Sequence, residues 1–179
     1  MSASGLGHPA VVVAEGVVHS LDAELVPVAI LVRAEMAAVL LESSDKRFVV
    51  FVRCENGRWV APGMTTGTPR RMKEQQDAET GPVPLTGMSP RWTAAAEPTD
   101  EESDFAWFAV TGQAAADAVE VSLTSSADAT TVPVGENGLV FALVRTSVLS
   151  RAGEYPEVEL PEIRVRTNDG RAVPMPPRP

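Results

Sequence analysis

The sequence predicts a mainly β fold, a β-sandwich with an immunoglobulin-like C-terminal half, an N-terminal β-meander and little helix. Fifteen prolines and thirteen glycines among 179 residues favour short strands and tight turns over a helical bundle. A hydrophobic content of 44% is enough for a sizeable core. In the C-terminal half, strand patterns recur about every eight to twelve residues, which is typical of sandwiches and barrels.

The N-terminal half contains one clear hairpin and two less certain elements. Residues 1–9 are predicted to be a flexible terminus, and residues 10–66 the meander. The Val-rich stretch Ala10–Ser20 predicts a strand bent at Gly16. Leu25–Leu41 fits both a strand and a helix, because its apolar residues alternate while its second half is rich in helix formers. We favour the strand.

The clearest signal is the alternation of apolar residues in Arg47–Cys54, which predicts a strand. Asn56-Gly57 follows it, and Asn-Gly is the strongest short hairpin signal. The stretch Arg58–Pro62 then returns as the partner strand. A turn at Ser44–Lys46 completes the prediction of a three-stranded meander.

The remaining chain is predicted as a connection, a second β region and a tail. Residues 67–103 lack periodicity and are expected to be an irregular loop with at most a short helix at Pro69–Glu79. Residues 104–173 are the C-terminal sandwich part, closed by a hairpin with Asp169-Gly170 at its tip. Residues 174–179 read as an extended Pro-rich tail. Residues 10–173 are expected to form one composite domain.

Charge and cysteine content limit the classes of partner and the compartment. The net charge of −9 argues against nucleic acid, where affinity comes from neutralising phosphates. The single cysteine, Cys54, cannot form an internal disulfide, and residues 1–10 have no secretory signal pattern. The most apolar window, Leu25–Leu41, carries Arg33 and Glu35 at its centre, so we expect no membrane span. The predicted location is the cytoplasm.

One short stretch resembles a known enzyme family. Asn56–Gly63, NGRWVAPG, is similar to the approach to the Nudix hydrolase motif, G-x5-E-x7-R-E-U-x-E-E-x-G-U, where U is aliphatic. Starting that motif at Gly63 places Pro69 at the first glutamate, and starting it at Gly67 places Lys73 there. Because those carboxylates must hold Mg²⁺, the family is not assigned.

The sequence offers weak candidates for binding and none for catalysis. Between Lys46 and Lys73 there are seven basic residues and one acid, so Arg70, Arg71 and Lys73 could contact an anion or an acidic partner. Trp92 could anchor a partner, although a place in the β core is the simpler interpretation. We expect no cofactor, since the chain has no dinucleotide fingerprint, Walker loop or nucleophile elbow.

Metal and nucleophile chemistry have little support. The acidic run Glu97–Asp104 supplies the weak metal candidates Asp100, Glu102 and Asp104, yet a solvated loop is favoured because the glycine and distal glutamate of a calcium loop are missing. Cys54 continues an apolar strand face and is expected to be an inert thiol rather than a nucleophile paired with His8 or His19.

These observations predict a non-catalytic intracellular interaction or regulatory module. Its partner is expected to be another protein or a second copy of itself, contacted through the sheet surface, edge strands or the long loop. The alternative is an anion-binding or other small-molecule-binding protein, or an enzyme of unrecognised type, with a cavity between the two β parts. A cell-envelope protein exported without a recognisable signal is a third hypothesis.

Overall fold

A computed structural model describes residues 5–19, 24–61, 68–69, 85–93, 104–150 and 157–175, and it confirms the mainly β class. Within these ranges the chain forms one α-helix and thirteen strands. They are α1 Pro9–Val18, β1 Val26–Arg33, β2 Met36–Glu42, β3 Lys46–Glu55, β4 Arg58–Val60, β5 Thr68–Pro69, β6 Leu85–Thr93, β7 Phe105–Ala114, β8 Ala118–Thr124, β9 Ala129–Pro133, β10 Leu139–Ser150, β11 Glu157–Val158, β12 Glu162–Thr167 and β13 Ala172–Pro174. The chain divides into two compact units, with α1 and β1–β5 in the first and β6–β13 in the second.

The first unit is an antiparallel sheet with the order β1-β2-β3-β4, in which β5 also pairs with β3. Every residue of β2 is buried, as expected for a strand with a neighbour on each side. The helix α1 packs on one sheet face, where Val39, Val50 and Val52 are completely buried beneath it. On the other face Leu40, Val49 and Phe51 are also at most 1% exposed.

The helix α1 corrects the sequence prediction, since the strand expected at Ala10–Ser20 is wrong. Pro9 occupies the first helical turn, and the ring nitrogen Nδ1 of His8 accepts the Ala10 N–H at 3.3 Å, which caps the helix. Ala10, Ala14 and Val18 are spaced by four residues and are at most 1% exposed. Burial of this stripe therefore outweighs the β preference of the valines, and the helix begins inside the segment expected to be a flexible terminus.

Two-residue turns close two of the three hairpins of the first unit, β3–β4 and β1–β2, and the predicted turn at Ser44–Lys46 closes the third, where the Ser43 N–H donates to the Lys46 carbonyl at 3.0 Å. At the predicted turn, Asn56 and Gly57 both have positive φ, +50° and +77°, as two-residue hairpins require. Leu25–Leu41 is not one element but the hairpin β1–β2, so the strand interpretation is confirmed and the helix alternative is wrong. Its turn is Ala34-Glu35, with Ala34 at φ +51°.

The second unit is a β-sandwich. One sheet has the order β6-β7-β10-β11 and the other β9-β8-β12-β13. Val121, Val144 and Val165, from β8, β10 and β12, have no exposed surface and belong to one core between the sheets. In the letters used for immunoglobulin domains, β6, β7 and β10 take the places of strands A, B and E, and β9, β8, β12 and β13 those of C′, C, F and G. The short strand β11 beside β10 is an addition to this immunoglobulin-like arrangement.

The segment 67–103 was expected to be irregular, and here the prediction is wrong in two places. Thr68–Pro69 pairs with the start of β3, and Leu85–Thr93 forms β6, which pairs with β7. Residues 70–79, where a short helix was expected, lie outside the described residues. Pro174 closes β13 and Met175 is buried in the sandwich core, so packing extends further than the predicted start of the tail.

Candidate interaction surface

The strand β1 is an edge of the first sheet, because among the described residues it pairs with β2 alone. Along seven residues, Val26 to Val32, it carries no charged side chain. Val26, Val28 and Val32 are 56%, 37% and 44% exposed. Edge strands present a row of unpaired N–H and C=O groups, and natural proteins usually shorten such strands, charge them or interrupt them with proline. Here Pro27 is the single proline of the strand.

A β-bulge determines which face each β1 residue occupies. Pro27 lies opposite Leu41, Ala29 opposite Leu40 and Ile30 opposite Val39, so Val28 is the extra residue of the bulge. Since Leu41 and Val39 lie beneath α1, Pro27 and Ile30 share the helix side of the sheet. Val26 and Leu31 lie opposite Glu42 and Ala38 and therefore share the other side.

Each of the other described edge strands is shorter than β1 or contains a proline. The edges β4, β11 and β13 have three, two and three residues, and β9 has five. Pro133 and Pro174 end β9 and β13, and β6 contains Pro90. Because proline donates no N–H, it protects an edge from further pairing. The strand β1 has one proline, at its second residue, and the bulge at Val28 next to it, and from Ala29 to Val32 it has neither device.

A polar network closes one end of the sandwich in the second unit. The turn Ser125–Asp128 joins β8 to β9, and the Glu159 carboxylate accepts the Ser126 N–H at 2.8 Å and the Ser126 hydroxyl at 2.5 Å. The Ser126 and Ser147 hydroxyl oxygens lie 2.8 Å apart. These donors, Ser126 first, hold the pKa of Glu159 below its usual value. Each group has a structural partner, so the arrangement anchors a turn.

The outer face of β8 and β12 carries ion pairs. The Arg166 guanidinium donates to both Glu120 carboxylate oxygens, at 3.0 and 2.9 Å, across the two strands. The hydrogen bonds from Arg166 lower the pKa of Glu120. Next to them on β12, Arg164 donates to Glu162 at 2.8 Å. Opposite charges at neighbouring positions of the two strands favour this register, and they leave a surface that carries both signs of charge.

The residues predicted from the sequence as binding contacts are only partly described. Arg70, Arg71 and Lys73 lie outside the described residues. Trp92 lies on β6 opposite Phe108, within the sandwich sheet, so the structure places it on a strand rather than in the irregular loop expected there. The strand β1 was covered only by the general expectation that edge strands make contacts. The valines on either side of Pro27 were the sequence signal that could have identified β1 as an exposed edge strand.

The metal and nucleophile candidates gain no support. Asp100 and Glu102 lie outside the described residues, while Asp104 is exposed and its carbonyl accepts the Val148 N–H at 2.8 Å. In the part of the chain that the structure describes, no group of three or more His, Cys, Asp or Glu side chains could hold a metal ion. Cys54 is half-buried on β3 opposite Trp59, and His8 contacts the Trp59 ring edge-on, with centroids 4.9 Å apart.

Comparison with known proteins leaves the architecture as the basis for a functional proposal. No protein-family model matches this sequence, and no curated protein or solved structure is significantly similar to it. The helix of the described ranges is too short to cross a membrane. The class of protein defined by the fold is a two-unit β protein with an immunoglobulin-like sandwich. Such sandwiches serve many unrelated functions, so the fold by itself does not assign one to this chain.

Proposed function

We propose that this protein is a non-catalytic protein-interaction module of the cytoplasm, which binds an extended segment along the edge strand β1. The observation that carries the proposal is the uncharged edge from Val26 to Val32, on which Val26, Val28 and Val32 are exposed. A strand added to a sheet edge gains affinity from main-chain hydrogen bonds and specificity from alternate side chains. The β1 edge offers both.

The apolar exposure supports binding of a strand rather than of a charged ligand. Val26 and Val32 lie near opposite ends of the edge and on opposite faces of the sheet, so an added strand would contact apolar side chains on both faces. Burial of a valine side chain contributes about 1.5–3 kcal/mol when it is complete. Partial burial of the three exposed valines would add to the ladder of main-chain hydrogen bonds and offset part of the entropy lost on association.

The rigidity of the sheet also supports this role. The neighbouring strand β2 is buried along its whole length, and α1 packs on the same sheet. An added strand would therefore meet an edge already held in its extended conformation. Such preorganisation reduces the conformational entropy lost on binding.

Site-specific photo-crosslinking in the host cell tests this proposal. A benzoyl-phenylalanine side chain placed at Val28 is expected to give a discrete protein adduct, and the same group at Val12, on α1, is the control. Val12 is 70% exposed and matches Val28 in residue type, but it lies on α1 rather than on the edge strand. A second substitution, Val32→Lys, should lower the yield at position 28, because charge on an edge opposes strand addition.

Two crosslinking results would contradict binding at the β1 edge. One is the absence of any protein adduct at position 28, and the other is equal labelling at positions 28 and 12. Recovery of the protein in membrane or envelope fractions would contradict the cytoplasmic location.

A further inference from the structure

We infer that the segment bound by β1 is the β1 strand of a second copy of this chain, paired antiparallel about a twofold axis. This inference rests on the proposed function, since it requires the β1 edge to be the binding surface. In a symmetric pair, each contact made at one end of the strand is repeated at the other end. The sequence of β1 and of its flanks can therefore be tested for self-complementarity.

The bulge determines the register that a symmetric pair can adopt. Directly opposite residues of neighbouring strands point to the same side of the sheet, and a slip of one residue reverses every side chain. Pro27 and Ile30 share the helix side of the sheet, while Val26 and Leu31 share the other side. An antiparallel pair that places Pro27 opposite Ile30 therefore also places Val26 opposite Leu31, with matching sides at both positions. Without the bulge, this register would be forbidden.

Charge complementarity at the strand ends supports the same register. Leu25 and the turn residue Glu24 precede β1, and continuing the same pairing into them places Leu25 opposite Val32 and Glu24 opposite Arg33. Leu25 is buried with the α1 side of the sheet, where Val32 also points, so the sides again match. Glu24 is exposed and Arg33 half-exposed. The single acid and the single base that border the apolar stretch would thus meet twice, once at each end of the paired strands.

The pairing would be weak and concentration-dependent. Pro27 has no N–H, so each strand supplies one donor fewer to a ladder that passes through it. Contacts limited to one strand edge bury less surface than a standard protein interface. We therefore expect a reversible dimer in rapid exchange, which forms over a concentration range of about 10–500 µM.

Sedimentation velocity of the full chain, with charge variants, tests the inference. The mass of the wild-type protein should rise with concentration from 19.0 kDa towards twice that value. Glu24→Arg and Arg33→Glu should each weaken the dimer about tenfold, because each change puts like charges together at both ends. An equimolar mixture of the two variants should recover the association as a mixed dimer. At one end of its paired strands the introduced arginine faces the introduced glutamate, and at the other end the native Arg33 faces the native Glu24. Glu15→Arg on α1 is the control with the same charge change, and it should leave the association unchanged.

The outcomes separate this inference from the proposed function. A wild-type protein that stays monomeric up to 500 µM, or a mixture that fails to recover the association, would overturn the pairing of two β1 strands. If position 28 then still crosslinks to a different chain, the edge is a binding surface and only the identity of its partner is wrong. If position 28 gives no adduct either, both the inference and the proposed function fail. Dimers that are insensitive to both charge variants would place self-association elsewhere and would also overturn the inference.

Discussion

Replacing Ala34 by glycine should stabilise the protein. Ala34 is exposed in the two-residue turn between β1 and β2 and has φ +51°. A left-handed backbone costs an L-residue about 1–2 kcal/mol, because its Cβ crowds the following carbonyl oxygen. Glycine avoids that strain but loses more conformational entropy on folding, about 0.5–1 kcal/mol relative to alanine. The net expectation for Ala34→Gly is an increase of roughly 0.5–1 kcal/mol in the free energy of unfolding.

Urea denaturation provides the measurement, and a second alanine provides the control. For a chain of this length, the same gain in Ala34→Gly should also raise the midpoint temperature of thermal unfolding by about 1–4 °C. Ala37 lies three residues further, is completely buried in β2 and does not have a positive φ. The change Ala37→Gly should therefore destabilise the protein by at least about 0.5 kcal/mol, since it removes packing and adds chain entropy. If both glycine variants were destabilised alike, the assignment of strain to Ala34 would be wrong.

Three further predictions concern the cores and the ion pairs. Leu123→Ala in the sandwich core should lower the free energy of unfolding by about 2–5 kcal/mol in urea denaturation, whereas Leu160→Ala, which removes the same atoms at a 62% exposed site, should change it by less than about 0.5. Glu42→Leu should lower the free energy of unfolding by about 3–5 kcal/mol, because it leaves the mostly buried Arg47 guanidinium without that carboxylate. The double variant Glu42→Leu/Arg47→Met should lose less stability than the single variant. An equal or greater loss would contradict the pairing. The pKa of Asp169 falls from 3.8 to about 2, chiefly because the Thr167 hydroxyl donates to it. Its folded-state pKa is thus below the unfolded value, so its contribution is complete above about pH 4 and is lost as the pH falls towards 2. When urea denaturation is measured from pH 7 to pH 2, the midpoint concentration should decrease between pH 4 and pH 2. The decrease should be smaller in Asp169→Asn.

The sequence was sufficient for elements whose signals are local. Alternation in β3 and the Asn56-Gly57 turn predicted their hairpin correctly, because only a few backbone conformations accommodate that turn. The hairpin at Asp169-Gly170 is confirmed for the same reason, and Gly170 has φ +86°. In these segments, local preference and tertiary structure agree.

The errors lie where tertiary contacts overrule local preference. The valines of α1 favour a strand, but their four-residue burial stripe and the packing against the sheet produce a helix. The turn at Ala34 carries no glycine or asparagine, so the division of Leu25–Leu41 into two strands had no sequence signal. The strand β6 has two prolines, a glycine and three hydroxyl residues within or beside it, and it forms because β7 supplies a partner.

The candidate surface is a still less local property. The strands β1 and β2 have similarly apolar sequences, and composition alone would place both in the core. They differ in their neighbours: β2 lies between β1 and β3, whereas β1 has one described partner. Exposure of an apolar strand therefore depends on the order of strands in the sheet, which in turn depends on long-range pairing. A bulge adds a second condition, since it decides which residues of β1 can face those of an added strand. A register that satisfies the apolar residues, the sheet faces and both terminal charges at once is specific enough for a single charge substitution to test.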